Sequence, residues 1–175
     1  PDPIGGIIWF GMDDSYSSVY VPFYCGLKEV PKAWGEQSGS FDAFSWDSAF
    51  WIFNWVANTA YGRYSDMIVD IQKEQRNFES MFMAEQPAVE SHALGLYAKS
   101  PVEAREYLTR YSASQADLVL AVWKKLGEFL LWKYLDGNVH TDTGKAAKRE
   151  HPRYPDEWYR RIVQEKGDFI KMPKE

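Results

Sequence analysis

Residues 7–24 read "IIWFGMDDSYSSVYVPFY": two runs of β-branched and aromatic residues, Ile7-Ile8-Trp9-Phe10 and Val19-Tyr20-Val21-Pro22-Phe23-Tyr24, on either side of Asp13-Asp14-Ser15. Such runs fit the pleated, half-buried surface of a strand, and short polar residues between them form a turn, so the stretch predicts a β-hairpin. Pro22 has no N–H to give to a ladder, which predicts an edge, a bulge or an interruption in the second strand. A two-stranded hairpin is marginal alone and needs neighbours to pack on.

Working outward, residues 28 to 44 hold Pro31, Gly35 and Gly39 among short polar residues and read as a loop. From Trp46 to about Glu85 there is no proline and one glycine, Gly62, which predicts one very long helix or two with a break there. Phe50, Phe53, Val56, Ala57, Ala60, Tyr61 and Tyr64 recur at steps of three and four and mark its apolar face. Pro87 is read as ending that element or starting the next, with a short helix over Ala88 to Lys99. Ser100, Pro101 and Glu103 form a helix start, and Ser112 to Gln115 offer a second cap before a strong helix from Ala116 to Leu135. Its apolar content, high nearly all round, predicts a central position. The tail from Gly137 is charged, with one helix over Asp156 to Lys166. The expected class is α+β, a β-hairpin followed by four or five helices. The 175 residues read as a single domain, with hairpin and loop in 1–45, helices in 46–136 and a charged tail in 137–175.

Composition narrows the function. A net charge of -5 argues against nucleic acid, because phosphate binding needs a basic field. The chain begins Pro1-Asp2-Pro3, without the basic and apolar pattern of a signal peptide, and reads as a cut piece. Residues 48–62 carry no charge, but they fall short of the ~20 apolar residues of a membrane span. Aromatic residues make up 17% of the chain, which calls for large rings either packed inside or presented to a partner.

Each candidate group has a structural and a chemical reading. Cys25, the single cysteine, follows an apolar strand, opens no helix and has no local catalytic-cysteine signature, so it is read as a buried packing residue rather than a nucleophile. His92, His140 and His151 lack partners at the i+4 spacing of a zinc pair, and His140 with Asp142 is the one short metal-like pair. A Cys25–His92 dyad would need tertiary folding to form. Asp13 and Asp14 suit a turn, and they also suit acid/base work or the amino end of a ligand. Asn54 and Asn58, one helical turn apart, either bond nearby backbone or face a polar site. Phe41 to Trp55 reads as core, with a stacking platform for sugar as the alternative.

Three stretches, "IWFGMDDSYSSVYVPFYCG" (8–26), "DSAFWIFNWVANTAYGRY" (47–64) and "EQPAVESHAL" (85–94), resemble the later part of the dipeptidase A family, cysteine hydrolases of the N-terminal nucleophile class related to the secernins. The resemblance runs over roughly residues 5 to 135. It implies an αββα sandwich, dipeptide substrates, no cofactor and no metal, and attack by a cysteine at the mature N-terminus whose own amino group is the base. It places that nucleophile upstream of Pro1, so that the chain is expected to be a C-terminal portion, inactive alone, with no catalytic residue of its own. Asp13 and Asp14 are the expected substrate-binding residues. The expected partners are the N-terminal part of the same polypeptide and dipeptides, with a homo-oligomer open, no nucleic acid and no membrane. Cytoplasm is favoured over export. The alternative is an aromatic-rich carbohydrate- or protein-binding module without catalysis.

Overall fold

The computed structural model describes residues 4–141, 148–150 and 153–169. The chain divides into two compact units, Pro1–Leu131 and Trp132–Glu175. In the first, strand β1 (Ile7–Phe10) pairs antiparallel with β2 (Val21–Tyr24), Ile7 opposite Tyr24 and Trp9 opposite Pro22. Cys25 N–H donates to the Gly6 carbonyl at 2.8 Å, which makes 6/25, 8/23 and 10/21 the hydrogen-bonded pairs. Pro22 therefore occupies a non-hydrogen-bonded position, where its missing N–H costs the hairpin nothing. The predicted hairpin is present, and proline sits at the one kind of position that tolerates it.

Helix α1 (Ala49–Tyr61) and helix α2 (Tyr64–Tyr97) are separated at Gly62, as the composition predicts. The buried face of α1 is Ala49, Ile52, Phe53, Val56, Ala57 and Ala60, rotated from the expected one, and Tyr61 and Tyr64 are exposed. Pro87 does not end a helix. It lies exposed inside α2, which continues because Phe78 and Phe82 before it and Val89 and Ala93 after it are all buried. Helix α3 (Pro101–Tyr134) starts as expected, with Ser100 Oγ accepting the Glu103 N–H at 3.3 Å. The second cap is not used. Ser112 is fully buried in mid-helix, in line with Leu108, Ala116, Val119 and Trp123, and this continuous stripe carries the helix through it. The expectation that α3 is apolar all round needs adjusting as well, since Leu118 and Phe129 are exposed on its other side.

The core joins the hairpin, the loop and the helices through rings. Trp34, from a short turn of 3₁₀ helix at Lys32–Trp34, meets Phe10, Phe23 and Phe53 edge-on or tilted, and Phe53 stacks on Trp123 at 5.0 Å. A smaller cluster of Ile4, Tyr24, Val89, Ala93 and Leu108 lies beside it. On its rim, Tyr24 OH donates to Glu90 at 3.5 Å and Tyr111 OH to Glu85 at 3.3 Å. Burial, then the adjacent glutamate, pushes both hydroxyls far above their ordinary value of 10.0. A pKa raised on folding means that the folded state holds these protons longer than the unfolded chain does. Their contribution is fully present below pH 10 and is lost as pH rises through the folded values. Urea midpoints are therefore expected to fall with pH above 10, and less steeply in Tyr24→Phe and Tyr111→Phe. Equal slopes in all three proteins would refute the assignment.

In the second unit a 3₁₀ turn at Leu135–Gly137 is followed by an antiparallel pair, β3 (Val139–Thr141) and β4 (Lys148–Glu150), and by helix α4 (Asp156–Lys166) at the expected place. The pair was not foreseen in a tail read as charged coil. The hairpin followed by several helices is thus seen. The αββα sandwich is not: among the described residues the sheets are two separate two-stranded ones.

Candidate functional site

The polar link between β1 and β2 is a built turn. Ser18, almost fully buried, accepts the Met12 N–H through Oγ at 3.0 Å. Asp14 closes the turn, Oδ1 accepting the Tyr16 N–H at 3.2 Å and Oδ2 the Ser17 hydroxyl at 2.9 Å. Both carboxylate oxygens of Asp14 are thereby engaged within the turn. Asp13 differs. Its backbone is left-handed at φ 65°, a conformation that aspartate tolerates better than most residues, and its Oδ1 accepts from Asn54 Nδ2 at 3.2 Å. Its Oδ2 has no hydrogen-bond partner among the described residues.

The two asparagines divide between the two readings open to them. Asn58 donates to the Asn54 carbonyl at 2.8 Å, which is local backbone, whereas Asn54 reaches across 41 residues to Asp13. Three tyrosines stand beside the turn. Tyr64 stacks with Tyr16 and with Tyr61, each at 6.3 Å and 23°. Partial desolvation, then the negative charge of Asp14, holds the Tyr64 hydroxyl above its ordinary pKa, so the turn and the rings share one electrostatic environment. A carboxylate with a free oxygen, an amide and electron-rich ring faces suit an ammonium group.

Cys25 corrects the expectation of burial: its thiol is exposed. The flanking Gly5, Gly6 and Gly26 add no side chains, and the Cys25 groove is completed by Tyr97, Pro101, Arg105 and Leu108. Among the described residues no histidine or carboxylate lines this groove. His92 instead meets the Tyr107 ring edge-on at 4.6 Å. Cys25 is accordingly expected to react with a disulfide reagent within a few-fold of its rate in denaturant. A hundredfold slower reaction in the native protein would contradict the exposure.

His140 Nδ1 lies 2.6 Å from the Trp132 carbonyl, while Asp142 and His151 fall outside the described residues. Among the described residues no group of three or more histidine, cysteine, aspartate or glutamate side chains could hold a metal ion. None of their helices is long and apolar enough to cross a membrane. The aromatic stretch 41–55 divides too: Phe53 is core, whereas Phe41, Phe44 and Trp46 are exposed. Trp51 is pinned through Nε1 to the Ser40 and Ala43 carbonyls. Trp55 lies against Gly127, where even a Cβ would come within 2.3 Å of its ring.

The model of Peptidase family C69 matches residues 1–77, the N-terminal part of this chain. No curated protein and no solved structure matches it. The position of the match overturns the expectation of a C-terminal portion that lacks its nucleophile: the matched segment includes Cys25, Asp13 and Asp14, and the likeness does not put the catalytic region outside the chain. It also stops short of "EQPAVESHAL" and so does not extend to residue 135. It does include the aromatic stretch 41–55.

Proposed function

We propose that this chain binds peptides as part of a peptide hydrolase, with Asp13 holding the amino end of the peptide and Asp14 shaping the turn that presents it. The observation that carries this reading is the match to a peptidase family over the segment in which Asp13, bonded to Asn54, keeps one carboxylate oxygen without a partner among the described residues, next in sequence to Asp14, whose charge reaches Tyr64. An ammonium on that oxygen makes a charge-assisted hydrogen bond, worth roughly 1.5–3 kcal/mol.

Calorimetric titration with the dipeptide Ala-Ala and with its acetylated form provides the test. The free amine is expected to bind and the acetylated form to bind at least tenfold more weakly. Asp13→Asn should remove that difference without changing the unfolding free energy from urea titration by more than about 1 kcal/mol, the scale of one ordinary hydrogen bond. Asp14→Ala, which strips two bonds from the turn, should lower stability as well as binding. Equal affinity for the two dipeptides would sink the assignment.

A further inference from the structure

The two free edges of the hairpin are not alike. On the outer edge of β2, the Tyr20 N–H is taken by Glu79 of α2 at 3.3 Å, Pro22 has no N–H, and the Tyr24 carbonyl is taken by the Leu27 N–H at 3.1 Å. That edge is closed three times over. On β1 the register turns the N–H and C=O groups of Ile7 and Trp9 outward, away from β2, and they have no partner among the described residues. Edge strands are ordinarily protected by charge, proline or cover. Among the described residues β1 has none of these: residues 3–12 carry no charge, and Ile8 and Phe10 are 55% and 42% exposed.

We propose that the β1 edge is a docking site for an extended peptide with uncharged side chains, which adds to the hairpin as an antiparallel third strand. Such a peptide exchanges N–H···O bonds with Trp9 and then with Ile7 through alternate residues, and packs its intervening side chains beside Ile8 and Phe10. Antiparallel pairing sends its amino end toward Gly11 and the Asp13 turn. The site thus complements both an uncharged backbone and a terminal ammonium. This deepens the peptide-binding reading above and rests on it for the assignment of the amino end.

The test uses the pentapeptide amide AVTVT with the whole chain. Two variants carry backbone N-methyl groups, one at residues 3 and 5, the other at residues 2 and 4, so that only one set faces β1. Docking predicts that one variant loses at least tenfold in affinity while the other binds as the parent does, and that the Ile7 and Trp9 amides gain hydrogen-exchange protection when the parent peptide binds. Equal effects of the two variants would overturn it. So would amides already protected without peptide, the sign of a second copy or another segment on the edge. An acetylated parent keeps the two assignments apart. Loss on acetylation with no N-methyl asymmetry leaves Asp13 in place and removes the edge; asymmetry with no effect of acetylation does the reverse.

Discussion

Trp123→Ala is expected to lower the stability of the first unit by about 3–5 kcal/mol, the range for deleting a large buried aromatic side chain. Trp123 has no exposed surface, and its ring stacks on Phe53, which in turn meets Trp34 edge-on. Removing it leaves a cavity between α1 and α3 and strips the support from the ring that anchors the loop. Against a total of about 5–15 kcal/mol for an ordinary domain, this is a large share. Trp123→Phe separates two contributions. The indole Nε1 is buried with no hydrogen-bond partner among the described residues, a cost of roughly 1–3 kcal/mol that phenylalanine removes while it keeps most of the ring contact. The Phe variant is therefore expected within about 1.5 kcal/mol of the parent, the usual bound for a well-tolerated apolar exchange. Urea midpoints of the three proteins decide it. A Phe variant as unstable as the Ala variant would show that the indole edge, not the stacked face, holds the core.

What the sequence made legible depended on whether the signal was local. The hairpin, the break at Gly62, the Ser100 cap and the helix at Asp156–Lys166 each rest on a few adjacent residues, and each was found where those residues place it. Pro87 and Ser112 carry equally local signals, a breaker and a cap, yet both lie inside helices, because buried residues on either side outweigh one residue's preference. The site shows the same limit. Asp13 and Asp14 were visible as an acidic turn, but nothing in their spacing says that Asp14 spends both oxygens on the turn while Asp13 meets Asn54 across 41 residues. The stacking of Tyr16 on Tyr64 was not legible for the same reason, since it joins a loop to the start of α2, and Tyr64 read instead as part of an apolar helix face. The exposure of Cys25 was misjudged from its apolar strand. It lies one residue past the end of β2, among glycines that leave its thiol open.

Pro87→Ala is expected to stabilise the protein by about 2 kcal/mol, an unusual direction for a single substitution. A proline inside a helix removes one backbone hydrogen bond and sets its ring against the carbonyl four residues earlier, here Met83, at a cost of about 3 kcal/mol. Alanine restores the N–H and has the best helix propensity, while the unfolded chain gains about 0.4–1 kcal/mol of entropy that proline had withheld. Pro87 is exposed, so its loss forfeits no burial. Position matters as much as magnitude. On one side of Pro87, Phe82 meets Trp9 of β1; on the other, Val89 and Ala93 belong to the cluster with Tyr24 of β2. A weak turn at Pro87 lets these two contacts loosen independently, and alanine should bind them into one cooperative unit. Thermal melting should therefore show a higher midpoint, and hydrogen exchange should show the amides of residues 88–91 slowing toward those of Phe78 and Phe82. An unchanged midpoint together with unchanged exchange would mean that α2 already accommodates the proline without strain, and that its two halves act as one in the native chain.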